Sequence, residues 1–309
     1  MSKENTFMRW LPVLVVLGLS IASLSIWQVL TGQKRVQVNQ TNQVATVSTK
    51  NPVAAIPDSP SGSLVFAGSG GNLAIVRLLA KEFQKSYSQI TINVPDSIGS
   101  SAGIKAAADQ AISIGLISRP LKDKEKKLGL TVVPYARTGI VIGVHPSVVD
   151  DGITSKELIQ IYQGTKSRWQ DDQEIVVLTR EPGDSSLAVL EQKIPKFKQV
   201  YAESQRIKRW TILYTDQEMS QTLENTPYAI GISDLGAITT GKLPIKALKI
   251  DGIYPTLKNL TSGKYSLVRS LSFVFLKDKL PAKAKIFLDF VQSNEGKKIL
   301  KANGYLASE

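Results

Sequence analysis

The chain is predicted to fold as an α/β protein carried behind an apolar amino-terminal segment, and three observations predict it. From about residue 63 onward, short runs rich in β-type residues alternate with runs of helical periodicity, the pattern of strands and helices stacked in layers. Before them stands an uncharged run, Leu11 to Leu30, followed by a polar, proline-bearing stretch. Glycine- and serine-rich turns join strand to helix at three places. With 309 residues the chain has room for two domains, each with its own core.

Residues 1–10 read as a short tail. The run 11–30 is long enough to cross hydrocarbon as a helix, and Trp10 and Trp27 stand near its ends, where amphipathic rings favour the interface. A cleaved signal peptide is the rival reading. Such a segment is usually shorter and ends in small residues, whereas Thr31-Gly32-Gln33-Lys34-Arg35 follows Leu30. An uncleaved transmembrane anchor is favoured. Lys3 and Arg9 before the span balance Lys34 and Arg35 after it, so flanking charge leaves the orientation open. Residues 31–61 are rich in Asn, Gln, Thr, Ser and Val, with Pro52, Pro57 and Pro60 near the end, and read as a flexible linker.

The globular elements follow in order. Ser63–Phe66 is strand-like, and Ile75, Leu78, Leu79 and Phe83 then recur at helical spacing. Ile90–Val94 is a second strand, with a helix through Ala108 after it, and Ile112–Ile117 is a third strand. Gly139–Val144 reads as a buried strand, and Thr154-Ser155-Lys156-Glu157 is a capping box ahead of Leu158, Ile159 and Tyr162. Ile175–Thr179, Ala229–Ser233 and Leu271–Leu276 are later strands. Ile286, Phe287, Phe290 and Val291, then Ile299 and Leu300, close the chain as helix.

Composition narrows the chemistry. A net charge of +12 favours anionic partners, although the basic runs Lys122–Lys127 and Lys193–Arg209 read as solvated faces and carry no nucleic-acid-reading motif. The absence of cysteine excludes disulfides, thiolate metal sites and a cysteine nucleophile. His145 is the single histidine, and its place before Pro146 after a buried strand favours a structural role over catalysis. No catalytic residue, metal site or cofactor is expected.

Three turns share one design: Gly68–Asn72, Gly99–Gly103 and Gly183–Ser186, each between a strand and a helix start. The first amides of a helix lack internal partners, and the dipole there favours negative charge. Glycine lets a ligand approach the backbone, serine adds a hydroxyl, and Arg180 adds a forked cationic donor. Each turn alone is equally what ordinary helix capping produces. Gly68-Ser69-Gly70-Gly71-Asn72 is neither a P-loop nor a dinucleotide fingerprint.

At these residues the sequence resembles the PstS-like phosphate-binding proteins of ABC transporters. The likeness covers about 62–309. It includes Ile98-Gly99-Ser100-Ser101-Ala102-Gly103-Ile104, Ile114-Gly115-Leu116-Ile117-Ser118-Arg119-Pro120-Leu121 and Val144-His145-Pro146. It continues in Ile161-Tyr162-Gln163-Gly164, Val177-Leu178-Thr179-Arg180-Glu181-Pro182-Gly183, Phe287-Leu288-Asp289-Phe290-Val291 and Asn303-Gly304-Tyr305. The resemblance implies a type II periplasmic-binding-protein fold, two α/β lobes joined by a hinge with a ligand cleft between them. The implied lobes are 62–137 plus 241–309, and 138–240. It also implies a periplasmic or extracellular globular part tethered to the membrane, phosphate or a related oxyanion as ligand, and an ABC permease as partner.

Carried over by position, the implied phosphate contacts are Ser69, Gly70 and Gly71 in the first turn, Ser100 in the second, and Ser118 after the third strand. Arg180 is the charged clamp, followed by Asp184, Ser185 and Ser186. Two departures stand out. Asp184-Ser185-Ser186 replaces the family's usual Ser-Gly-Thr, and Ser118 stands where some members carry an aspartate. Three readings of Asp184 stay open: an acceptor for protonated phosphate, a helix cap, or a charge that repels anions. Correspondingly, a tethered sensor or scaffold with an altered or lost anion site is the alternative to a transport receptor.

Overall fold

Residues 63–308 are described in the computed structural model of the chain, so the tail, anchor and linker expected over 1–61 lie outside the described residues. Among those described, the first elements are β1 (Leu64–Gly68), a 3-10 turn at Gly70–Asn72, α1 (Leu73–Ser86), β2 (Ile92–Asn93) and α2 (Gly99–Ala108). Next come β3 (Ile114–Ile117), α3 (Asp123–Lys126), β4 (Thr131–Val144), β5 (Gly152–Ile153) and α4 (Ser155–Gln163). Then follow β6 (Val176–Arg180), α5 (Ser185–Lys193), α6 (Phe197–Arg206), β7 (Thr211–Leu213), α7 (Asp216–Asn225), β8 (Ala229–Asp234) and α8 (Leu235–Gly241). The rest are β9 (Lys246–Ala247), β10 (Lys249–Ile250), α9 (Leu257–Thr261), β11 (Val268–Phe275), α10 (Ala282–Gln292), α11 (Asn294–Ala302) and β12 (Leu306–Ala307).

The main sheet runs β2-β1-β3-β11-β4-β8-β6-β7. β1 lies parallel to β2 and β3, and β6 lies parallel to β7 and β8, while β11 is antiparallel to β3 and β4. β4 ties the halves together: its Thr131–Gly139 part pairs with β11 and its Ile140–Val144 part with β8. Every residue of β3 and β8 is buried, as expected of strands covered on both faces. This is a mixed α/β architecture, as the alternation predicts.

Two corrections concern boundaries. The strand expected at Gly139–Val144 is only the second half of β4. Its first half was hidden in the sequence by Pro134; the register slips there, leaving Tyr135 without an opposite residue on β11, and a bulge tolerates a residue that cannot donate. The strand expected at Ile90–Val94 pairs only over Ile92–Asn93. The capping box is realised: Glu157 N donates to Thr154 Oγ1 at 3.1 Å, and Thr154 N donates back to the Glu157 carboxylate at 3.0 Å.

One core is aromatic. Phe287 of α10 packs against Phe66 at 5.1 Å, Phe83 at 5.4 Å and Phe273 at 6.1 Å between ring centroids. A second core gathers Ile140, Ile142, Leu158, Tyr162, Leu190, Phe197 and Ile230 around the β8–β6 half of the sheet. Trp169 belongs to it as packing, with its indole N–H donating to Tyr228 O at 3.0 Å. Among the described residues no helix is long and apolar enough to cross a membrane. Phe287→Ala removes the ring that three others share and is predicted to cost about 3–5 kcal/mol in denaturant-unfolding experiments; a loss under about 1 kcal/mol would contradict this account of the core.

Candidate functional site

The three glycine-serine turns come to one place because each follows a strand of the same sheet. β1 ends at Gly68, whose φ is +152° and where a Cβ would stand 2.1 Å from Leu116 O, so no other residue fits. Ile98 N and the Ser97 hydroxyl both donate to Gly68 O, at 3.0 and 3.2 Å, which holds the start of α2 against the end of β1. β6 ends at Arg180, whose backbone is pinned by Tyr201: Arg180 N donates to Tyr201 Oη at 2.5 Å, and that hydroxyl donates to Arg180 O at 2.9 Å. Gly183 then turns the chain with φ +86° into α5.

A cavity of about 420 Å³ opens where these turns meet, and Ser69, Gly70, Ser100, Arg180, Asp184 and Ser185 line it. Six of the nine residues implied for the site are thus brought together. Ser118 is buried and does not line the cavity, but it joins the walls: its hydroxyl is 2.6 Å from Ser69 Oγ and 2.7 Å from Ser185 Oγ. Ser186 is occupied by the cap, donating its N–H and hydroxyl to Asp184 Oδ1. Gly71 is not at the cavity either.

The role of the glycines differs from the expectation that they admit a ligand. A Cβ on Gly70 would stand 2.1 Å from Asp216 Oδ2, and one on Gly71 would stand 1.7 Å from Arg269 Nη2. Both glycines make room for charged side chains of this same chain.

Asp216, Asp234 and Arg269 were not foreseen, and with Arg180 and Asp184 they form one charge array. Arg180 Nη2 is 2.7 Å from Asp184 Oδ2 and 3.6 Å from Asp216 Oδ2. Arg269 Nη2 is 3.7 Å from Asp216 Oδ1 and is ion-paired with Asp234. Arg269 Nη1 donates to Ser185 Oγ at 3.2 Å, which links the array to the serine chain. Two guanidiniums thus face three carboxyl groups. Asp216 opens α7 behind a fourth strand–turn–helix junction, where Thr215 and Glu218 form a capping box. That box, Thr215-Asp216-Gln217-Glu218, was readable in the sequence, as was Arg269 on the inward parity of β11 with Leu271 and Phe273.

Burial opposes the charges of Asp184, Arg180, Arg269 and Asp234. It would raise the Asp184 carboxyl, but the Arg180 guanidinium and the Ser186 donors hold it below its usual value. It would lower Arg180 and Arg269, but the neighbouring carboxylates keep both above the ordinary guanidinium range. For Asp234 burial prevails: despite the pull of Arg269, its carboxyl is pushed up to about 7, and the nearby Asp216 and Asp184 charges act in the same direction. Arg180 is all but inaccessible, with a side chain 4% exposed, yet its Nε and Nη1 make no hydrogen bond within the chain. A cationic fork with free donors, three serine hydroxyls and two helix starts can hold an anion. At the rim, Arg119 is neutralised by Glu125 through two contacts of 2.7 Å.

A family profile described as the PBP superfamily domain matches residues 53–295. The chain is 24% identical over 246 residues to the phosphate-binding protein PstS of Borreliella burgdorferi, covering 77% of this chain and 88% of that one. It is 25% identical over 256 residues to PstS of Bacillus subtilis, covering 81% and 82%. A crystal structure of a phosphate ABC transporter substrate-binding protein from Clostridium perfringens, with bound phosphate, superposes with a TM-score of 0.70 at 26% identity, covering 80% of this chain and all of that one. An ABC-type phosphate transport receptor from Vibrio cholerae shares the fold, with a TM-score of 0.57 at 22% identity over 79% of this chain and 99% of that one. These relatives are binding proteins rather than enzymes, in line with the expectation of a non-catalytic chain.

Asp234 sets a pH dependence. Its folded-state value of about 7 lies above the ordinary 3.8, so on raising the pH the unfolded chain releases this proton first. The stability tied to this group is complete below its unfolded value and lost as pH rises through its folded one. Asp234→Asn is therefore predicted to flatten the fall of unfolding free energy between about pH 4.5 and about pH 7.5. Parallel curves for parent and variant would contradict the assignment, whatever their vertical offset.

Proposed function

The chain belongs to the PBP superfamily, and on that footing we propose that it captures phosphate, or a related tetrahedral oxyanion, outside the cytoplasm for an ABC transporter. The observation that carries the reading is Arg180, which lines the cavity and whose buried Nε and Nη1 have no hydrogen-bond partner in the chain. Ser69, Ser100 and Ser185 hydroxyls stand around the same space, and the starts of α2 and α5 add neutral dipoles. In this reading the ligand lies between two hinged lobes, 62–137 plus 241–309 and 138–240. The anchor over 11–30 keeps the receptor beside its permease, with 31–61 as the spacer. The names of the relatives and the phosphate bound to the Clostridium perfringens protein support the choice of ligand.

Asp184 in this reading does two things at once. It caps α5 and orients Arg180, and of the roughly four acceptor positions of a carboxylate it uses three, leaving one for the proton of monohydrogen phosphate. The alternative, a tethered sensor or scaffold without an anion ligand, draws on the same residues: Asp184 and Asp216 already answer the charge of Arg180.

Calorimetric titration of the full-length chain separates the two. Phosphate is predicted to bind, and Arg180→Lys, which keeps the charge but loses the fork, to weaken binding by about tenfold or more. A folded chain giving no heat with phosphate, sulfate or molybdate would favour the sensor. Asp184→Ser keeps a competent cap but removes the acceptor, and is predicted to reduce the preference for phosphate over sulfate. Unchanged selectivity would remove Asp184 from that role.

A further inference from the structure

The cavity is larger than a bare oxyanion requires, although its floor is drawn together. The serine chain Ser69–Ser118–Ser185 already bridges the walls through contacts of 2.6 and 2.7 Å, and Arg269 ties Ser185 in place at 3.2 Å. Above that floor remain about 420 Å³, an order of magnitude more than the ~30 Å³ share of one water and within the range of pockets for organic ligands. The lining is also of two kinds. Charged and hydroxyl groups gather at Arg180, whereas Ile98, Pro182 and Tyr214 bring apolar surface to the same cavity. Ile98 is 46% exposed and Tyr214 62%, so neither ring nor side chain is spent on the core of this chain.

Resting on the reading of Arg180 as the oxyanion donor, we propose that the cleft takes a phosphomonoester: the phosphoryl oxygens meet the Arg180 fork and the serine hydroxyls, and the organic substituent lies over Tyr214 and Ile98. No bond of the ester is made or broken; the group is recognised, not cleaved. Burial of a substituent against a tyrosine face adds affinity that inorganic phosphate cannot draw on, since the bare ion carries no apolar group to lay against it.

The test is titration of the full-length chain with inorganic phosphate and with phenyl phosphate, for the parent and for Tyr214→Ala. Phenyl phosphate is predicted to bind at least about fivefold more tightly than phosphate. Tyr214→Ala is predicted to abolish that advantage while leaving inorganic phosphate unchanged. Equal or weaker binding of the ester, with phosphate still bound, overturns the inference and leaves the oxyanion reading standing. An ester advantage untouched by Tyr214→Ala removes Tyr214 from the substituent site and overturns the placement. Absence of heat with both ligands overturns the oxyanion reading and this inference with it.

Discussion

The structure turns on the burial of two guanidiniums, Arg180 and Arg269, beside one carboxylate, Asp216. A buried charge is tolerated only where partners and donors compensate its desolvation. Here the compensation reaches well beyond one ion pair. Asp184 completes Arg180, Asp234 completes Arg269, and the hydroxyl of Ser185 takes a further guanidinium N–H. Gly70 and Gly71 follow from the same requirement, because a side chain at either would occupy the place of Asp216 or Arg269. Local backbone, capping and packing around the cavity are consequences of seating these charges.

The fold supplies the positions. β1 stands near one end of the strand order and β6 with β7 at the other, each running into the start of a helix, and β11 brings in Arg269 from the middle of the sheet. The array is held by elements from four separate stretches of chain, so its geometry depends on the tertiary fold that brings them together. Compensation is incomplete at three members of the array: Nε and Nη1 of Arg180, Nε of Arg269 and Oδ1 of Asp234 are buried without a hydrogen-bond partner, and of these residues only Arg180 lines the cavity, which calls for a functional account.

Much of this was legible in the sequence, for local reasons. Periodicity placed most strands and helices within a few residues, and Thr154 with Glu157 announced α4 through a capping box that forms as read. The turns at Gly68, Gly99 and Gly183 could be read as meeting at one cavity because glycine ahead of a helix, here with positive φ, is a local signal. The first half of β4 escaped because Pro134 argues against a central strand unless a bulge is known to lie there. Asp216, Asp234 and Arg269 escaped because their partnership is wholly tertiary: they are contributed by α7, β8 and β11, and no spacing relates them. The steric role of Gly71 was hidden for the same reason, since the group that needs its missing side chain lies 198 residues away in sequence at Arg269.

The most direct test of the central claim is a crystal structure of the chain grown with arsenate, a tetrahedral oxyanion whose heavy atom marks its own position by anomalous scattering. The account predicts one strong peak in the cavity, with arsenate oxygens at hydrogen-bonding distance from Arg180 Nε and Nη1 and from the Ser69, Ser100 or Ser185 hydroxyls. A cavity without such a peak in crystals that bind arsenate elsewhere, or a peak that leaves those two nitrogens unpartnered, would contradict it.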